Sequence, residues 1–479
     1  MEQMRNLIGG QLVPPLSGQY LDNFNPATGK VWSYVPRSNH EDIANAVSAA
    51  SKAQKEWSEI SIDERAKFLF RIADVIDQNC EELAALESKD QGKPVGLALS
   101  VDIPRSGQNF RFFASAISQF SSEAHIDQQW VNYTRRDALG VVGCISPWNL
   151  PLYLLTWKIA PALAAGNCVI AKPSEITPAT AYRFSELIQD ILPPGVLNII
   201  HGRGDEAGEA IINHPEVQAI SFTGGTATGA HIAQTAAPMF KKLSLELGGK
   251  NPNIIFADCD LKSAVSTSVR SSFANQGEIC LCGSRIYVQK EIYKEFKNEF
   301  IAQVEQLKQG DPSDNQTQQG AIVSKPHYQK ILNSIEKAKE LGGKILCGGG
   351  PWEQGAKLGG WFIKPTVIEG LSISCETNQD EIFGPVVTIS PFETEPEAIK
   401  LANQSRYGLA SSIWTQDLAR AHRVSKAIKT GIVWVNCWMK RDLRTPFGGT
   451  KASGVGREGG LEALRFFTEP KNICLEINE

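Results

Sequence analysis

Residues 167–202 read NCVIAKPSEITPATAYRFSELIQDILPPGVLNIIHG. A short β-branched run, NCVIAK, is followed by the polar helical stretch TPATAYRFSELIQDIL and then by a second apolar run, VLNIIHG. Strand, helix and strand in succession predict the crossover unit of a helix-covered parallel sheet, because neighbouring parallel strands cannot be joined by a tight turn. The same texture runs from Gly140 to about Asp258, through VVGCI, VQAISFTGG and NPNIIFAD. From Leu261 a second alternating series begins: a helix through SAVSTSVRSSFANQG, then RIYVQ, the helix IYKEFKNEFIAQVEQL, and the runs GKILCGG, WFIKPTVIEG, PVVTISPF and GIVWVNCW. The chain is therefore expected to be α/β, with two helix-covered lobes.

Length agrees with that division, since 479 residues exceed the roughly 250–300 at which a single core stops growing. The 48 Lys and Arg and 52 Asp and Glu are interspersed, for a net charge of −4, so there is no basic field for a phosphate backbone and nucleic acid is not an expected partner. The opening MEQMRNLIGG lacks a charged-then-apolar signal, and the most apolar stretch, Leu150 to Ala165, is interrupted by Pro151, Lys158 and Pro161. No membrane partner is expected, and a cytoplasmic location is. Ten cysteines are scattered singly, as reduced thiols would be. No CxxC pair exists and no histidine lies within ten residues of Cys280, so no metal site is expected.

The first hundred residues read as helical, with Ile43, Val47, Ala50 and Trp57 along one face. Ser61 to Glu64 forms a capping box for a helix carrying Leu69, Ile72 and Ile76, which Gly92 and Pro94 of QGKP close. Two alternating segments, Gln128 to Asp137 and the tail FFTEPKNICLEINE, belong to neither lobe and are expected to pair between subunits.

Four stretches carry candidate chemistry. FTGGTATG, Phe222 to Gly229, follows an apolar strand and opens a helix, as an anion-binding turn or simply a tight connection would. VIAKPSE puts Lys172 and Glu175 at a strand's carboxyl edge, where they could hold ribose hydroxyls; the glutamate would repel a 2′-phosphate and favour NAD over NADP. In LELGGKNP, Glu246 is either a buried base with a raised pKa or a capping or ion-paired carboxylate. In SPWNLPLY, Asn149 is an amide donor for a developing oxyanion or a turn residue. FANQGEICLCGSRIYV then places Cys280 after a glycine turn and five residues before Arg285, open to a carbonyl substrate or packed, with Cys282 on the same face if the segment is extended.

Taken in order, PWNLPL, KPSE, FTGGTATG, LELGGKNP, NQGEICLCGSR, EIFGPVV and PFGGTKASGVGRE resemble the aldehyde dehydrogenase superfamily across essentially the whole chain. The resemblance implies a Rossmann-type NAD-binding lobe (1–120 and 140–247), a catalytic α/β lobe (248–450) and a small β-extension for oligomerisation (121–139 and 451–479). It implies Cys280 as nucleophile, Glu246 as the base for the deacylating water and Asn149 as the oxyanion donor. The NAD contacts it implies are Trp148, Lys172, Ser174, Glu175, Gly204, Phe222, Gly224, Gly225, Gly229, Leu247, Glu381 and Phe383. Gly225 departs from the serine common at that position, which removes one pyrophosphate contact. The assembly implied is a homodimer or homotetramer.

EICLCGSRIYVQ, VDIPRSGQNFRFFA and VNCWMKRDLRTPFGG most resemble the branch that oxidises 2-aminomuconate and 2-hydroxymuconate semialdehydes. A small-molecule semialdehyde already bearing a carboxylate needs a cation in its tunnel. Arg105 and Arg441 are the candidates, beside Phe447, with Arg444 a weaker third.

Overall fold

The structure, a computed structural model, describes residues 1–477. Five parallel strands form the centre of an eight-stranded sheet, in the spatial order Lys242–Glu246, Val217–Thr223, Val141–Ile145, Cys168–Lys172 and Leu197–Ile199. Val141–Ile145 and Cys168–Lys172 are buried at every residue, which is why their sequences are continuously apolar rather than alternating. From Val141–Ile145 the next strand in sequence, Cys168–Lys172, lies on one side and Val217–Thr223 on the other. The strand order reverses there, and such a reversal leaves a crevice beyond the carboxyl ends of the strands.

A second sheet has seven strands in the order Lys344–Cys347, Thr366–Glu369, Val386–Phe392, Gly283–Gln289, Asn251–Ile255, Ala410–Trp414 and Ile432–Val435, all parallel except the first pair. Outside both sheets, Ala124–Ile126, Trp130–Ala138 and Thr468–Glu476 form a largely exposed antiparallel sheet. The apolar stretch near Leu150 is the wholly buried helix Pro151–Ala164. Among the described residues, no helix is long and apolar enough to cross a membrane.

Three expectations need correction. The first 36 residues are not helical: Asn6–Ile8 and Gln11–Val13 extend the eight-stranded sheet, and Glu2–Gln3, Tyr20–Asn25 and Lys30–Pro36 form a separate sheet. The predicted helical face is present from His40 onward, where Asn39 caps the helix in a full capping box. The helix opened by Ser61 does not run on to Gly92. Asn79 leaves helical geometry (φ −111°, ψ 21°), its amide donates to the Val75 carbonyl at 2.7 Å, and a new helix, Cys80–Gln91, begins. Finally, within 451–479 only Thr468–Glu476 lies in the outer sheet. Gly454–Val455 pairs with Lys242–Glu246 in the eight-stranded sheet, and the last two residues fall outside the described ones.

Candidate active site

The helix Leu261–Phe273 ends in a turn through Asn275 and Gln276, both left-handed (φ 52° and 55°). Two such non-glycine residues persist only where neighbours over-determine them. Here the Asn275 amide donates to the carbonyls of Asn149 at 3.0 Å and Glu278 at 3.2 Å, and Gln276 donates to the Ala321 carbonyl at 3.2 Å. The chain then enters a tight turn, closed by the Cys282 N–H on the Ile279 carbonyl at 3.0 Å, and extended strand begins only at Gly283. The two cysteines therefore do not share a strand face. Cys280 is half-buried and faces a cleft, whereas Cys282 is buried with Sγ 4.0 Å from the Ala274 carbonyl. Asn251 spans the turn, donating to the carbonyls of Cys280 at 2.7 Å and Cys282 at 2.9 Å. Burial pushes the Cys280 thiol well above its ordinary range, Glu381 and Glu246 add to the shift, and Arg441 opposes it. Arg285 serves as an anchor, donating to the carbonyls of Lys250, Leu401 and Ala402.

Asn149 lies between the strand Val141–Ile145 and the buried helix Pro151–Ala164. Its side-chain Nδ2 donates to the Glu278 carbonyl at 2.9 Å, two residues before Cys280. Glu246 ends its strand with Oε1 buried and without a hydrogen-bond partner. Burial, then Glu458, hold its carboxyl well above the usual range, against Lys158, Arg457 and Arg441. Glu458 is itself gripped by Lys158 Nζ at 2.6 Å and Ser221 Oγ at 3.2 Å.

The cleft has a volume of about 250 Å³ and is lined by Trp148, Asn149, Gly224, Gly225, Leu247, Cys280, Glu381 and Phe383 among the predicted residues. Pro147, Thr223, Gly248, His327 and Lys330 line it as well. Thr223 and Gly248 sit inside quoted motifs, and only the fold reveals which way they face. His327 and Lys330 lie on the amphipathic helix Lys325–Glu340, whose local sequence carries no motif. His327 donates to the carbonyl of Phe383 at 2.6 Å, and burial lowers its pKa to about 4, which keeps the ring neutral. Phe383 is held left-handed (φ 61°) with its ring edge-on to Trp148, centroids 5.2 Å apart.

Phe222 and Gly229 do not line the cleft. A side chain at Gly224 would overlap the Phe222 ring and one at Gly229 would overlap Leu247, so these contacts set the turn and seat the helix Thr226–Ala236. Ser174 Oγ accepts from the Ile176 N–H at 3.2 Å within the turn after Lys172. Glu175 accepts from Lys172 Nζ at 3.2 Å and from the Gly204 N–H at 3.3 Å. Burial works to raise its carboxyl, but Lys172 and backbone N–H groups outweigh it and keep Glu175 ionised. Glu381 accepts from the Gly249 N–H at 2.8 Å, and burial pushes it up to about 7.

These features fit a dinucleotide. Gly225 opens a helix N-terminus with free space where a side chain would stand, Glu175 offers an ionised acceptor to ribose hydroxyls, and the buried Thr223 Oγ1 of the lining has no partner. Among the described residues, no three His, Cys, Asp or Glu side chains are grouped to hold a metal ion.

Near enough to Cys280 and Glu246 to influence both, Arg441 donates to the Tyr153 hydroxyl at 2.7 Å and lies over the rings of Phe447 at 4.0 Å and Trp157 at 5.1 Å. Arg105 lies 5.9 Å from the centre of the Tyr153 ring and donates to Gln108 at 3.3 Å. Among the described residues neither guanidinium forms an ion pair, whereas Arg444 is closed on Asp442 at 2.6 Å and is largely exposed. Tyr153 and Trp157 were missed, although Tyr153 follows the quoted PWNLPL directly and Trp157 lies one helical turn further on.

A half-buried thiol in a crevice that fits a dinucleotide, sharing its lining with an amide donor and with an unpartnered carboxyl buried near it, is equipped to oxidise a carbonyl compound through a covalent thiol adduct. The model of the aldehyde dehydrogenase family matches residues 13–473, and the chain belongs to that family, whose members are aldehyde-oxidising oxidoreductases. It is 49% identical to 2-aminomuconic semialdehyde dehydrogenase from Danio rerio, over 99% of this chain and 98% of the other. It is 45% identical to 2-hydroxymuconic semialdehyde dehydrogenase from Pseudomonas sp. (strain CF600), over 100% of each, and 44% identical to acetaldehyde dehydrogenase from Pseudomonas aeruginosa, over 99% and 95%. The fold is similar to an NAD+ complex of an aldehyde dehydrogenase from Bacillus cereus, with a TM-score of 0.97, 38% identity, and coverage of 99% of this chain and 97% of that one.

Proposed function

We propose that this protein oxidises a semialdehyde already bearing a carboxylate, 2-aminomuconate 6-semialdehyde first among them, to the dicarboxylate with NAD as acceptor. The observation that carries the substrate is Arg105 and Arg441 meeting at Tyr153, neither in an ion pair among the described residues, with Arg441 close enough to the thiol and the base to influence both. A guanidinium takes a carboxylate through paired hydrogen bonds, and an uncharged aldehyde would leave both arginines unanswered.

Cys280 is the nucleophile. Its thiol rests protonated, so attack on the aldehyde carbon requires loss of that proton to solvent. The oxyanion of the thiohemiacetal is held by the Asn149 amide and the Cys280 N–H. NAD, when bound, supplies the hydride acceptor. Lys172, Ser174, Glu175 and Gly204 are positioned to bind its adenosine half, the turn from Phe222 to Gly229 its pyrophosphate, and Trp148, Leu247, Glu381 and Phe383 its nicotinamide half. Loss of hydride leaves a thioester on Cys280, which water deprotonated by Glu246 hydrolyses to the acid. Residues 1–120 and 140–247 then act as the NAD-binding domain and 248–450 as the catalytic domain, and the outer sheet pairs subunits into a homodimer or homotetramer in the cytoplasm.

Kinetics of Arg105→Ala and Arg441→Ala on a muconic semialdehyde test the reading. Each should lower kcat/KM by the roughly 1.5–3 kcal/mol of a charge-assisted hydrogen bond, with little effect on an uncharged aldehyde. Unchanged kcat/KM in both would remove the proposal. A second reading, 2-hydroxymuconate semialdehyde, is favoured by the Pseudomonas relative, since the two substrates differ in one small substituent that no charged residue reads. Broad use of simple aldehydes, suggested by the acetaldehyde dehydrogenase relative, is opposed by the two unanswered arginines.

A further inference from the structure

QGKP supplies more than a helix end. Lys93 is fully buried, and its ammonium contacts the carboxylates of Asp102 and Glu87, the latter at 3.4 Å, and the backbone carbonyl of Asn149 at 3.0 Å. The second oxygen of Glu87 accepts from the Leu152 N–H at 3.3 Å, just beyond Asn149. Asp102 ends the π-helical turn Ala98–Asp102, a geometry that recurs at functional sites, directly before the helix that carries Arg105. The nearby helix end at Glu87 and π-helical turn at Asp102 thus converge with the distant loop at Asn149 on one ammonium, and the last two adjoin the proposed chemistry.

A buried charge cluster of this kind is costly, and apolar side chains of similar volume would fill the space with less desolvation. What they could not do is donate to the Asn149 carbonyl. That carbonyl is pinned from two sides, by Lys93 and by the Asn275 amide, and its peptide is the base from which the Asn149 side chain projects toward Cys280. We propose that Lys93, held by Asp102 and Glu87, is a positioning residue that fixes the Asn149 amide for oxyanion stabilisation. The inference rests on the oxyanion role proposed for Asn149.

The test is a double-mutant cycle on acylation of Cys280 by p-nitrophenyl acetate, which needs the oxyanion donors but neither hydride transfer nor the arginines. The variants are Asn149→Ala, the charge-balanced pair Lys93→Met with Asp102→Asn, and all three together, with the melting temperature and NAD affinity followed in each. Asn149→Ala should slow acylation on the order of 10²-fold. The pair should slow it about 10- to 100-fold with NAD affinity unchanged, and should add nothing once Asn149 is alanine. Wild-type acylation by the pair, or a loss that adds fully to that of Asn149→Ala, overturns the inference. If the pair does not fold, Asp102→Asn alone, which keeps an acceptor for Lys93, runs the same cycle under the same criteria. Wild-type acylation by Asn149→Ala would overturn the oxyanion assignment itself.

Discussion

Glu246 carries an oxygen that faces no donor in a buried site, a condition that costs free energy and that a catalytic role explains. Because burial and Glu458 keep its carboxyl protonated above the usual range, the base form is populated only as pH rises. Hydrolysis of the acyl-enzyme should therefore increase as pH rises beyond the ordinary carboxylate range, and Glu246→Gln should flatten that rise while slowing steady turnover by roughly 10²–10⁴-fold. A single-turnover burst of NADH followed by stalling is the expected trace; an unchanged steady rate would contradict the role. Cys280→Ala should abolish NADH formation, and Cys282→Ala, truncating a side chain packed beside Ala274, should retain most of it. At this scale the sequence was informative where a motif fixes spacing, as from Glu246 to Cys280. It was silent on His327, whose importance comes from packing against Trp148 and Phe383 on distant segments.

The crossover unit containing KPSE shows how an element acts. Its strand is buried throughout, so the chain can present polar groups only where the strand ends, and there Lys172 and Glu175 meet the Gly204 N–H. An ionised Glu175 repels a 2′-phosphate, and Glu175→Ala should raise the KM for NAD and narrow the preference over NADP by roughly tenfold or more, read from kcat/KM on both cofactors. Unaltered discrimination would assign selectivity elsewhere. Fully buried strands were legible because helix cover on both faces demands continuous apolar runs. The N-terminal strands were not, because Asn6–Ile8 and Gln11–Val13 are short pieces, and no local pattern announces that the first pairs with Leu197–Ile199 and the second with the first. The break at Asn79 was missed for a similar reason: an asparagine inside a helical pattern ends the helix only when its side chain captures a carbonyl of the preceding turn, as it does at Val75.

Across the whole molecule, the order reversal in the eight-stranded sheet and the left-handed turn leading to the central strand of the seven-stranded one bring cofactor crevice and thiol together. The outer sheet stands apart from both, and its exposed edge suits pairing with another copy. Tyr133→Pro, in its central strand, should lower the oligomeric state by sedimentation while far-ultraviolet circular dichroism of the two lobes stays intact; an unaltered assembly would exclude that sheet as the contact. In the proposed function a distal carboxylate on the substrate is read by Arg105 and Arg441. The most direct measurement is kcat/KM for NADH production across semialdehydes matched in length, with and without that carboxylate. The carboxylate-bearing members should be favoured by on the order of 10²-fold or more, and equal values across the panel would contradict the claim.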